Sequence, residues 1–223
     1  MTVKMIACEV MKEELIAIKA QCDIDFAFIS MGLHLHPQKL NKELQRLISE
    51  SSGYEKIILA FGLCGGAVKG LKAADSPLVI PRVHDCIPIF LGSKSRYTAL
   101  HSQEHGTFYL TCGWMMTEKN ILSEHQRIVE KHGEKKALRI ITRMYDSYRR
   151  VLFIHTGCQE EADSLRQSQQ IAELLAVRHE TAQGESSYLD KLVNGPWPHE
   201  EFITIAPYQT VKEEEFGIGV KVN

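Results

Sequence analysis

Short apolar runs alternate with amphipathic segments along the whole chain. Val3–Cys8, Phe26–Ser30, Lys56–Phe61, Pro77–Val83, Thr107–Cys112, Val151–His155, Arg178–Ala182 and Phe202–Ala206 are of strand length. Several are rich in the β-branched and aromatic residues that suit a pleated sheet. Between the strands, Leu40, Leu44, Leu47 and Ile48 recur at helical spacing behind Pro37, and Glu160–Ala176 is strongly amphipathic. Helices are also expected over Lys12–Ala20, Ala67–Ala74, Asp85–Ser93, Glu118–Lys131, Lys135–Arg150 and Ser187–Val193, with Gly133 and Gly195-Pro196-Trp197-Pro198 as breakers. The tail from Tyr208, with Lys212-Glu213-Glu214-Glu215, reads as solvated.

Strands alternating with helices make an α/β protein with a mostly parallel sheet. The preferred arrangement is two Rossmann-like lobes, residues 1–115 and 116–223, sharing a cleft at the strand carboxyl ends, with most candidate ligands on the N-terminal lobe. Eight strands also permit a (β/α)8 barrel, for which the chain is short.

Composition narrows the function classes. The 223 residues are 44% hydrophobic and 24% charged, with a formal net charge of −2 and both signs well mixed. No basic patch suggests nucleic acid, and no apolar run approaches the ~20 residues that span a bilayer. Met1-Thr2-Val3-Lys4-Met5 leads straight into a strand without a signal-peptide pattern, so a cytoplasmic location is expected. In that compartment the six cysteines stay reduced rather than forming a disulfide framework.

Five of those cysteines share one address. Cys8, Cys64, Cys86, Cys112 and Cys158 each lie where a strand ends and the chain turns toward its next helix. The carboxyl ends of parallel strands line the crevice in which open α/β sheets bind ligands. A shared soft-ligand site, for metal or redox chemistry, is therefore expected. Cys22, between a helix and the next strand, reads as a packed residue.

The richest stretch is Phe61-Gly62-Leu63-Cys64-Gly65-Gly66-Ala67-Val68-Lys69-Gly70. Its glycines, with Gly62, Gly65 and Gly66 nearest Cys64, let the backbone turn tightly and approach a ligand. A helix starting there would lower the pKa of Cys64 and favour the thiolate. The stretch matches neither G-x-G-x-x-G nor a Walker loop.

In His84-Asp85-Cys86 an imidazole, a carboxylate and a thiol stand side by side after a strand. His84 and Cys86 share a face of an extended segment, and Asp85 can orient an imidazole. Cys8-Glu9 supplies a further thiol and carboxylate, while Cys112, Cys158 and His155 carry less weight. His34 and His36 have the spacing of a loop chelate. No G-x-S-x-G elbow or H-E-x-x-H helix points to a hydrolase.

Taken together, Ala7-Cys8-Glu9-Val10, Gly62-Leu63-Cys64-Gly65-Gly66, His84-Asp85-Cys86-Ile87 with Leu91-Gly92-Ser93, and Tyr109-Leu110-Thr111-Cys112-Gly113-Trp114 resemble an uncharacterised domain-of-unknown-function family. That family occurs in anaerobic bacteria and archaea, often encoded beside corrinoid-dependent methyltransferases for methylamines and betaines. The resemblance places its cysteine motifs on Cys8, Cys64 and Cys86. It implies a setting in anaerobic one-carbon metabolism, a corrinoid protein or methyltransferase as partner, and no assigned activity.

The leading expectation is a metal-binding protein with Cys8, Cys64, His84 and Cys86 as ligands and Glu9 and Asp85 in support. Zinc suits this Cys/His set, and an iron–sulfur redox centre is the rival. The alternative is a metal-free accessory protein whose glycine-rich turn takes a small anionic or corrinoid-like ligand. Neither nucleic acid nor membrane is expected as a partner.

Overall fold

A computed structural model of the chain describes residues 2–118 and 120–217. Every expected strand forms: β1 (Thr2–Cys8), β2 (Asp23–Ile29), β3 (Ile57–Ala60), β4 (Leu78–Pro81), β5 (Thr107–Leu110), β6 (Arg150–His155), β7 (Arg178–Gln183) and β8 (Phe202–Ile205). They build a five-stranded sheet in the order β2-β1-β3-β4-β8 and a three-stranded sheet in the order β5-β6-β7. All pairings are parallel except that of β8 with β4. The protein is thus an α/β protein of Rossmann-like character. Both sheets are open, so the (β/α)8 alternative does not hold.

The chain folds as two units, one made of residues up to Ile89 with those from Ser187 onward, the other of Phe90–Ser186. The single division expected at residue 115 differs from this because strand pairing crosses it. β5 pairs with β6, and β8 returns to pair with β4.

In the first unit every residue of β3 is buried, as its unbroken apolar run requires of a strand covered on both faces. Helix Pro37–Glu50 starts on its proline and buries Leu40, Leu44 and Ile48, one helical face at four-residue intervals. No helix forms over 67–74. Gly66 and Gly70 take φ of 88° and 77°, and the strip after them pairs with the tail instead. Val211 N donates to Leu71 O at 2.8 Å and Ala73 N to Gln209 O at 2.9 Å. The tail is accordingly not solvated as its charges suggested: Val211 and Phe216 are buried, and the Arg82 guanidinium donates to the Glu215 carbonyl.

In the second unit, helices Ile121–His132 and Glu134–Met144 are separated by Gly133 at φ 77°, and helix Glu161–Leu175 follows β6. Leu110, Ile141, Val151, Phe153 and Ile171 form the centre of its core. Arg150 is buried among these strands. It donates through Nη1 to Glu180 of β7 at 2.7 Å and through Nε and Nη2 to Thr107 Oγ1 of β5 at 3.1 and 2.9 Å. One side chain thereby braces all three strands. Among the described residues no helix is long and apolar enough to cross a membrane.

Candidate functional site

The parallel register of β1, β3 and β4 brings their carboxyl ends to one edge of the five-stranded sheet. Ala7 lies opposite Ala60, and Ile58 opposite Val79. Beyond β3 the chain stays in contact with the chain beyond β4: Leu63 N donates to Val83 O and Cys64 N to His84 O, both at 2.9 Å. Gly62 permits that approach, because a Cβ there would lie 2.8 Å from both Asp85 N and Val83 O. Cys64 is thereby held beside His84-Asp85-Cys86, while Cys8 ends the neighbouring strand β1.

Cys64, Gly65 and Gly66 follow one another at φ 46°, 66° and 88°. Two are glycines, at ease in the left-handed region; Cys64 is not, and such a position costs a side-chain-bearing residue on the order of 1 kcal/mol. Strain of this kind collects at functional sites.

The thiols sit in an environment that opposes ionisation. Burial pushes Cys8 up to about 12, against the pull of backbone hydrogen bonds at Val10 and Glu9. Burial pushes Cys64 up to about 12 as well, with the charges of Asp85 and Cys8 adding. Cys86 is raised well above the usual thiol value too, by burial and then by Asp85, Cys64 and Cys8. Cys64 therefore feels Cys8, and Cys86 feels both, as groups gathered at one sheet edge should. The expected lowering of Cys64 by a helix start does not occur. Only a three-residue 3-10 turn, Cys64–Gly66, begins there, and burial dominates.

Around the thiols the polar groups divide into committed and uncommitted ones. Glu9 Oε1 accepts from Met31 N at 2.7 Å and from Ser30 Oγ at 3.1 Å, fixing the turn after β2. Asp85 Oδ1 accepts from Ile87 N at 2.9 Å. His84 is 58% exposed, and its Nδ1 stands a long 3.5 Å from Asp85 Oδ2, which raises its pKa. His34 is the opposite case. Its Nε2 is buried without a hydrogen-bond partner, its ring stacks over Phe61 with centroids 5.9 Å apart, and burial lowers its pKa. Among the described residues no group of three or more His, Cys, Asp and Glu side chains stands arranged to hold a metal ion.

The sequence profile of a family described as "Protein of unknown function (DUF1638)" matches residues 28–193. The chain belongs to that family. Within the DUF1638 span lie His34, Cys64, His84, Asp85 and Cys86, whereas Cys8 and Glu9 precede it. No curated protein and no solved structure matches the chain.

The DUF1638 span also contains Cys112 and Cys158, and these depart from expectation. They are joined in a disulfide across 46 residues of sequence, with Cα atoms 6.5 Å apart. Both belong to the second unit, at the carboxyl ends of the paired strands β5 and β6, and bonded to each other they are not free thiols. His155 at the end of β6 pairs with Glu161 at 3.3 Å, and Glu161 also accepts from Thr156 N and Gly157 N, each at 2.9 Å. His155 is thus occupied in holding the loop that carries Cys158. The five strand-end cysteines therefore separate into a free trio and a bonded pair.

The buried thiols carry a direct test. At about pH 8 a thiol with a pKa near 12 is ionised in roughly one molecule in ten thousand. Cys22 and Cys64 are both half-buried residues, but in metal-free protein iodoacetamide followed by peptide mass spectrometry should label Cys22 well before Cys64, whose rate should rise about tenfold per pH unit. Cys64 labelled first at neutral pH would show an open, activated thiol instead.

Proposed function

We propose that the carboxyl edge of the five-stranded sheet binds a soft metal ion through Cys8, Cys64 and Cys86. The observation that carries this reading is the pairing of the segments after β3 and β4, which holds Cys64 beside Cys86 next to the end of β1. The donor chemistry fits. Three free thiols at one sheet edge are soft donors, and the unpartnered Nε2 of His34 is a neutral imidazole donor of the kind zinc takes. His34 is a better fourth donor than the exposed, Asp85-linked His84. Since the side chains do not stand as a closed ligand set among the described residues, Cys8, Cys64 and Cys86 would hold the ion only by closing on it and giving up their protons. Bound zinc supplies Lewis acidity, and the protein supplies burial, orientation and the clamp between two loops.

This reading sets the protein in anaerobic one-carbon metabolism, as an enzyme or accessory factor working with a corrinoid protein or methyltransferase. Its support for that setting is the family resemblance alone, an argument by association. Anaerobic purification followed by elemental analysis and a visible spectrum tests the metal. A colourless protein with one equivalent of zinc is expected. Brown protein with iron and sulfide would replace zinc by an iron–sulfur cluster, and folded protein that takes up neither would leave a metal-free binding protein.

A further inference from the structure

Beside the thiols the first unit opens a groove of about 1100 Å3. One wall is the start of helix Pro37–Glu50, the other the turn from Leu63 to Lys69, and Glu213 of the tail reaches its lining. The two walls are fastened together, since Asn41 Nδ2 donates to the carbonyls of Ala67 at 2.7 Å and Lys69 at 3.0 Å. The groove is therefore a built feature of the fold.

Its chemistry is cationic. Lys39 and Lys42, three residues apart on the helix, line it, and neither makes an ion pair among the described residues. Lys69 lines it too and is held by Glu213 at 2.7 Å. His36 and His84 add imidazoles, and Glu213 is the sole carboxylate among the described lining residues. No phenylalanine, tyrosine or tryptophan is among the described lining residues. Gly65 and Gly66, whose added Cβ atoms would meet no backbone, expose main chain to the groove directly after Cys64.

We infer that this groove binds a small, multiply charged oxyanion, phosphate- or carboxylate-bearing, held by Lys39, Lys42 and, in competition with Glu213, by Lys69. The inference deepens the proposal above by naming the ligand class of the same sheet edge. Its lysines are not metal donors, so the two readings fail separately. Glu213 has a definite role here: it neutralises Lys69 while the groove is empty and yields it to the incoming anion.

Calorimetric titration of the purified, metal-analysed protein with inorganic phosphate and with succinate tests this. At least one should bind saturably, more weakly as salt rises. The choice between them assigns the phosphate or the carboxylate class. The double change Lys39→Ala, Lys42→Ala removes charged hydrogen bonds and should weaken binding about tenfold or more. Glu213→Gln should strengthen it a few-fold by freeing Lys69. These opposite shifts are a pattern that general destabilisation cannot produce. Binding of neither probe, or affinities unmoved by either variant, overturns the inference. Metal content should stay at the wild-type level in the lysine double variant. Anion binding retained in a Cys64→Ala, Cys86→Ala protein without metal would sustain the groove, and anion binding absent from a metal-loaded wild type would sink the groove alone.

Discussion

Cys86→Ser should remove most of the bound metal and lower the melting temperature in the same step. Cys64 and Cys86 lie on the segments that follow successive strands of one sheet, so an ion held by both clamps those segments, and its binding free energy becomes partly folding free energy. Metal present at about one hundred times its Kd contributes ~2.7 kcal/mol. For a chain of this size that is a shift of about 5–10 °C. Cys22→Ser, remote from the sheet edge in sequence and pairing, should leave metal content and melting unchanged. Chelation should destabilise the wild type and barely affect metal-free Cys86→Ser. Differential scanning calorimetry beside elemental analysis reads both effects. A wild-type melting curve unchanged after verified metal removal would end the clamp, and full metal in a Cys64→Ala, Cys86→Ala protein would remove both residues from the site.

Gly62→Ala should damage the same site without touching a donor. The added Cβ meets Asp85 N and Val83 O at 2.8 Å and Asp85 Cα at 2.9 Å. All three are backbone atoms, which cannot swing aside as a flexible side chain would. Forcing them apart costs about 1–3 kcal/mol, typical of overpacking. It also separates the segments whose hydrogen bonds, Leu63 to Val83 and Cys64 to His84, set the thiols side by side. The denaturant midpoint should fall together with bound metal. A variant with wild-type midpoint and full metal would mean that the close approach has no bearing on the site.

Much of the fold was legible in the residues because its strands are of the doubly buried kind. Ile57–Ala60 and Val151–Ile154 are continuous apolar runs that leave little room for another reading. What local pattern cannot carry is the partner of each strand. That β5 pairs with β6, and β8 with β4, is decided by contacts far apart in sequence, and this placed the unit boundaries at 89/90 and 186/187 and joined Cys112 to Cys158. Depth is equally invisible from a run of glycines. The Cys64 stretch advertises a tight turn, and the structure buries the thiol in that turn instead of presenting it at a helix start. His34 was legible only as half of an H-x-H pair. Its stranded nitrogen emerges once Phe61 covers the ring and Glu9 is committed to the next turn. The tail misled because two apolar residues, Val211 and Phe216, flank a run of charges and anchor it from both sides.

The return of β8 to β4 has a consequence for biosynthesis. Phe90–Ser186 leaves the ribosome before Phe202–Ile205 does, so the smaller sheet can close while the larger one still waits for its last strand. During that interval Leu78-Val79-Ile80 presents an unpaired hydrophobic margin in the nascent protein, the kind of edge that recruits other chains. Translation that stops before residue 202 is therefore expected to leave the second unit complete and the thiol-bearing unit short of its last strand, with β4 as an open edge.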